Sequence, residues 1–237
     1  LTVPPEKFFI TSLLSTFMKI VAIGAHPDDP EIGCGGSLLL HADAGDAVTL
    51  VYATDGAAGS ASIPKERLIR MRRTEAERSG AVLGADSVRF LSYCDGHLAY
   101  AGYDLVADIG RIIRSEKPDT VYTHSVLDAH PDHSALASAT IEACRRAATP
   151  YFQELGQGRH TVGEIRLFEV WTPLQDFRVA VDITPVIDRK VEAIRQHASQ
   201  LAATPYDEIA RGLNRYRSIA LRGSTYAEVF DTVRSTW

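Results

Sequence analysis

Residues 19–54 read KIVAIGAHPDDPEIGCGGSLLLHADAGDAVTLVYAT, and this stretch decides the fold. Its two ends, KIVAIGA (19–25) and AVTLVYAT (47–54), are short apolar runs bounded by turn residues. That is the pattern of strands buried on both faces. Between them GGSLLLHADAGD (35–46) reads as a short helix ending at Gly45. Strand, helix and strand in so short a span make a βαβ unit, whose crossover is right-handed. The polar insertion HPDD (26–29) falls where the chain leaves the first strand, ahead of glycines 33, 35 and 36. Those glycines are expected to let the backbone pass close to a site.

The alternation continues outward. Residues 65–84 have helical spacing, 87–91 a strand, 103–117 a helix, 119–124 a strand and 131–148 a helix with Pro131 just inside its start. Residues 150–163 read as a loop. Residues 164–171 and 178–184 read as two further strands forming a hairpin, followed by helices over 184–203 and 206–221. The fold class is therefore α/β: an open, mostly parallel, Rossmann-like sheet with helices on both faces, plus a C-terminal β-hairpin and helices. The segment 1–17 precedes Met18 and reads as an appended piece. Residues 18–237 read as a single domain, a size that suits one α/β unit.

Composition narrows the function. A net charge of −5 offers no basic field for nucleic acid. The arginines of RLIRMRR (67–73) are followed at once by TEAER and read as a solvated helix face. The apolar stretch FFITSLLSTF is too short to span a bilayer, so no membrane insertion is expected. Cys34, Cys94 and Cys144 are scattered and odd in number, which points to a reducing compartment and hence the cytoplasm.

In an open α/β sheet, sites form beyond the carboxyl ends of the strands. There the sequence places His26, Asp28 and Asp29, then Asp55, then Asp95, then HPDH at 130–133. Two neutral imidazoles and one carboxylate are a common catalytic zinc shell that leaves a position open for water. A second carboxylate can accept that water's proton, and an imidazole can serve the leaving group. Spacing alone does not say which aspartate ligates. A nucleotide site is disfavoured, because G-x-G-x-x-G is absent from the first turn and two aspartates there would repel a pyrophosphate.

AHPDDPEIGCGG and HPDH, together with RRTEAERSGAVLG (72–84) and KVEAIRQHASQ (190–200), resemble the zinc-dependent de-N-acetylases of the PIG-L/LmbE type over roughly residues 18–200. The resemblance implies an amidohydrolase that removes acetyl from an N-acetylglucosamine-type sugar. It makes His26, Asp29 and His133 the ligands of Zn2+, with Fe2+ as the alternative ion. It makes Asp28 the general base and His130 the group that stabilises the intermediate or protonates the amine. Asp132 becomes the partner that orients a histidine ring, and Arg72 and Asp95 hold sugar hydroxyls. Relatives often assemble, so a homo-oligomer is among its implications, and the partner is a small amino sugar. Two other readings stay open: an amidase for a larger acyl group, and a non-catalytic carbohydrate-binding relative. The departure at Asp128, where some relatives carry Tyr or Arg, touches the oxyanion contacts. Asp55 and His124 are candidate supporting groups. His41, His97, His160 and His197 read as ordinary, and Phe168 and Trp171 as core.

Overall fold

The computed structural model describes residues 17–234; the segment 1–17 lies outside the described residues except for Phe17. Seven strands form one sheet: β1 (Lys19–Gly24), β2 (Ala47–Thr54), β3 (Ser87–Tyr93), β4 (Thr120–His124), β5 (Glu164–Phe168), β6 (Val179–Asp182) and β7 (Ala227–Arg234). Their order is β3-β2-β1-β4-β5-β7-β6. The first five are parallel, with Lys19 opposite Ala47 and Ile20 opposite Thr120. β1 is central and its neighbours lie on successive crossovers to either side. The gap between β1 and β4 is therefore the topological switch point, where α/β sheets bind ligands.

Strand alternation divides the core. Val21, Ile23, Val51 and Val121 point to one face, against Ile109 and Ile113 of α3 (Gly102–Glu116) and Leu136 and Ala143 of α4 (Pro131–Ala147). Ile20, Ala22, Leu50 and Tyr52 point to the other. They pack with Leu38 and Leu39 of α1 (Asp29–Asp43), Leu83 of α2 (Lys65–Leu83) and Val191 of α5 (Ile187–Arg195).

Three expectations change. First, α1 begins at Asp29, with Pro30 in its first turn, rather than at Gly35. Gly33, expected ahead of the helix, lies inside it with Gly35 and Gly36, where they permit close packing. A Cβ on Gly33 would sit 2.3 Å from the Phe168 ring, and one on Gly36 2.7 Å from Ile183. Gly33→Ala is therefore expected to lower stability by about 1–3 kcal/mol through overpacking, read as a drop in the urea midpoint at constant slope.

Second, the expected hairpin of 164–171 with 178–184 does not form. β7, a strand absent from the sequence reading, slots between β5 and β6 and pairs antiparallel with both. β5 and β6 thus run the same way, and a hairpin requires opposite directions. β7 also carries Glu228, which is fully buried and accepts from the Gly36 and Ser37 amides (2.8 Å each) and from Lys190 Nζ (2.7 Å). Third, the single helix expected over 184–203 breaks after α5 and resumes as the short α6 (Ala198–Leu201). The break turns His197 inward to Glu31. The helix expected over 206–221 is α7 (Tyr206–Arg217). Among the described residues, no helix is long and apolar enough to cross a membrane.

Candidate active site

The first motif folds tightly because Asp29 reaches back to its own turn, its Oδ2 accepting from the His26 amide at 2.6 Å. Asp28 occupies the N-cap position of α1, where an aspartate ordinarily caps with its carboxylate. It makes no such cap. Its Oδ1 instead accepts from Arg72 Nη2 at 3.1 Å, and the same guanidinium donates to the Pro27 and Gly56 carbonyls. Arg72 is buried, so the surface pairing with Glu75 or Glu77 that helix α2 would also permit is not made. Burial pushes Asp28 up to about 6, against the pull of Arg72 and with the repulsion of Asp29.

The second motif opens α4. His130 is its N-cap, and Nδ1 accepts from the Asp132 amide at 3.2 Å. With Nδ1 used as an acceptor, the neutral ring carries its proton on Nε2. Burial, then the charges of His26 and His133, hold His130 below the usual imidazole range, so the neutral form is favoured. One turn on, His133 is completely buried and stacks between His124 and His130, with ring centroids 3.9 Å and 4.6 Å away.

β1 and α4 bring the two motifs together. His26 Nδ1 lies 3.2 Å from His133 Nε2 and 3.2 Å from Asp29 Oδ2, and His133 Nε2 lies 3.4 Å from Asp29 Oδ1. Donors in a tetrahedral shell with bonds of about 2.0–2.1 Å stand about 3.3 Å apart, so this spacing fits a divalent cation. The donor chemistry fits too: two imidazoles and a carboxylate, all buried, with no lysine or arginine among them. His124 approaches the same carboxylate at 3.2 Å, but its Nε2 already accepts the Ala25 amide proton at 3.0 Å. Burial first, and then His133, hold it down at about 4 against the pull of Asp29. It is a neutral wall behind the donors.

The ring of His26 is gripped on its far edge. Nε2 is 3.1 Å from Asp95 Oδ1 and 3.5 Å from Asp132 Oδ2. Burial would depress this imidazole, but Asp29, Asp132 and Asp95 raise it well above the ordinary range. Asp132 also accepts from the Gly96 and Leu98 amides (2.7 and 3.0 Å) and is fully buried, so it holds a loop and a ring. Asp95 reaches the cleft, yet its other oxygen accepts from the Ala58 amide at 2.8 Å. Asp128 sets its Oδ1 3.2 Å from His133 Nδ1, although out of line for a hydrogen bond. Opposing its burial, His133 and the His130 and Trp171 amides pull Asp128 down to about 2.

These groups open into a cleft of about 260 Å3 lined by His26, Asp28, Asp29, Arg72, Asp95 and His130. Trp171, expected in the core, is exposed on its edge, whereas Phe168 is core as expected. His197, expected to be ordinary, is buried with Nε2 3.0 Å from Glu31 Oε1, which also accepts from Tyr52 Oη at 2.6 Å. Asp55 is spent on its own turn, accepting from the Ala57 amide.

Residues 21–144, just over half the chain, match the PIG-L family of GlcNAc-PI de-N-acetylases. The chain belongs to the PIG-L family. A diacetylchitobiose deacetylase of Thermococcus kodakarensis is 29% identical over 202 residues, covering 81% of this chain and 74% of that protein. The structure of N,N'-diacetylchitobiose deacetylase from Pyrococcus horikoshii superposes with a TM-score of 0.83 at 28% identity, covering 93% of this chain and 85% of that one. GalB, the 4-carboxy-2-hydroxymuconate hydratase of Pseudomonas putida KT2440, superposes with a TM-score of 0.77 at 26% identity, covering 92% and 96%. The PIG-L fold thus carries both deacetylases and a hydratase, and the cleft must decide between them.

Proposed function

We propose that this PIG-L protein is a metal-dependent hydrolase that removes acetyl from an N-acetylated amino sugar, giving free amine and acetate. One observation carries the reading: His26, Asp29 and His133 offer donors within 3.4 Å of one another, and His26 and Asp29 line the same cleft as Asp28 and His130, with His133 buried directly behind them. These three residues would hold the ion, Zn2+ by the donor set and Fe2+ as the alternative. A divalent cation there supplies Lewis acidity, polarising an amide carbonyl and acidifying water.

The chain's own groups supply the rest. Asp28, buried and raised, takes the proton from water as general base. Arg72 aims its carboxylate. His130, with its proton on Nε2, donates to the amide oxygen as negative charge develops there, then gives that proton to the nitrogen as the C–N bond breaks, so that the amine leaves and acetate remains. Asp95 and Asp132 fix the His26 ring, and Asp128 faces His133, as carboxylates beside metal-binding imidazoles do. Arg72 and Asp95 are also the cleft groups that meet sugar hydroxyls. The small cleft suits acetyl better than a long acyl chain.

The hydratase chemistry of GalB is disfavoured by the shortage of cationic side chains. Among the described residues, Arg72 is the one lysine or arginine lining the cleft, and Asp28 already holds it. A muconate bearing several carboxylates would find no free basic side chain there, whereas a neutral acetamido sugar needs none. Zinc- or iron-loaded protein is expected to release amine and acetate in equal amounts from N-acetylated sugars, to stop when the metal is chelated, and to resume on adding zinc. Loaded protein that releases neither from any such sugar would overturn the reading.

A further inference from the structure

Trp171 is 55% exposed, yet the segment that carries it is fastened by buried charges. Its amide donates to Asp128 Oδ2 at 3.0 Å, and the Thr172 amide donates to the same oxygen at 3.3 Å. Thr172 Oγ1 accepts from the Ala129 amide at 2.8 Å. On the far side, Glu169 accepts from the Leu174 amide at 2.6 Å and pairs with Arg217 at 2.6 and 2.9 Å. Arg217 Nη2 also donates to the Leu174 carbonyl at 2.6 Å. Asp128, Glu169 and Arg217 are all buried. Residues 169–174 are thus held rigidly while presenting a large apolar ring to water, which forfeits the energy of burying it.

Cleft size says what the ring is for. About 260 Å3 lies below the roughly 300–1,000 Å3 of sites that enclose drug-sized ligands. One acetamido sugar fills it, so anything joined to that sugar passes over the rim. There the Trp171 ring stands 6.4 Å from that of His130, and Tyr206, at the start of α7, meets it edge-on at 6.3 Å. The cleft residues Ala58, Gly59 and Gly96 offer no comparable surface.

Building on the deacetylase reading, we infer that Trp171 and Tyr206 form a second-ring subsite. It stacks a saturated, polyhydroxylated six-membered ring joined to the acetamido sugar and sets the preference for two rings over one. The C–H face of such a ring is weakly positive and apolar, so it suits the negative face of an indole while its hydroxyls stay in water. A second sugar and a cyclitol share this chemistry.

The test compares wild type, W171A and W171F on three substrates: N,N'-diacetylchitobiose, N-acetylglucosaminyl inositol and the methyl glycoside of N-acetylglucosamine. The ratio of kcat/KM for two-ring over one-ring substrate is expected to fall about tenfold in W171A, mostly through KM, and to recover in W171F. The two-ring substrate that shows the larger ratio identifies the source of the second ring. A ratio unmoved in W171A overturns the subsite. A second readout does not need turnover. The chain has two tryptophans, so in W237F the Trp171 indole is the sole one. Its emission is expected to shift saturably with the glucosamine disaccharide and not with the methyl glycoside; no shift overturns the subsite. A saturable shift from a metal-loaded protein that deacetylates nothing would instead sink the deacetylase reading and leave the subsite standing.

Discussion

Asp28→Asn is expected to keep the metal and lose turnover, with kcat falling about 10²- to 10⁴-fold, the range a positioned general base contributes. The substitution preserves shape, and the amide oxygen can still accept from Arg72 Nη2, now at 3.1 Å from Asp28 Oδ1. What it removes is the ability to take a proton. Metal content per chain separates the two roles, since Asp29, not Asp28, faces His26 and His133. The wild-type pH profile carries the same signature. A base works only when ionised, and burial raises Asp28 to about 6 despite Arg72. Activity should therefore be present above the folded value and decline as pH falls through it. Positive charge at the neighbouring donors favours the ionised form, so in loaded enzyme the acid limb lies at or below pH 6. D28N should abolish that limb along with the rate. Near-wild-type turnover in D28N would remove Asp28 from the chemistry.

How much of this was legible without a structure depends on the range of each interaction. Parallel strands buried on both faces announce themselves as apolar runs, so β1, β2 and β4 and the loops at their ends could be read directly. The meeting of HPDD with HPDH follows from topology, because β1 and β4 are neighbours at the switch point. The first turn of α1 was not legible. HPDD reads as a turn and Gly33 as the approach to a helix until Phe168, far along the chain, is seen pressing on Gly33.

β7 was missed for a related reason. Its buried start, Ala227–Phe230, would read as an apolar run but for Glu228, whose burial makes sense only beside Lys190 and the amides of α1. Polar residues with distant partners were the hardest to place. His197 answers to Glu31 and Arg72 to Asp28, and both pairs join elements far apart in sequence. Trp171 was misjudged because it closes the expected strand 164–171, where an aromatic is usually core, whereas β5 ends at Phe168. The run of polar residues that fastens its loop, from Asp128 to Glu169 to Arg217, gives no local signal.

His133→Ala should empty the site. Removing this imidazole deletes one of three mutually facing donors, and its effect should exceed the about 10- to 100-fold loss of affinity that follows from altering a ligand's supporting partner. Metal per chain is expected to fall from about one to near zero after dialysis, with activity lost in parallel. Misfolding would give the same loss, so the decisive comparison is thermal. Wild type should gain stability on adding zinc, because an ion that binds only the folded chain stabilises it by RT ln(1 + [L]/Kd). H133A should show a cooperative transition that added zinc does not raise. Its metal-free baseline should lie below that of wild type as well. Opposing burial, His133 is the leading influence holding Asp29 well below the carboxylate range, so its loss leaves that buried charge more exposed to its own desolvation cost. Full metal content with a zinc-dependent transition in H133A would move the donors to the other cluster around His26, that of Asp95 and Asp132. In that case Asp29 would be free to act as the base, and the division of labour between the adjacent aspartates would have to be reversed.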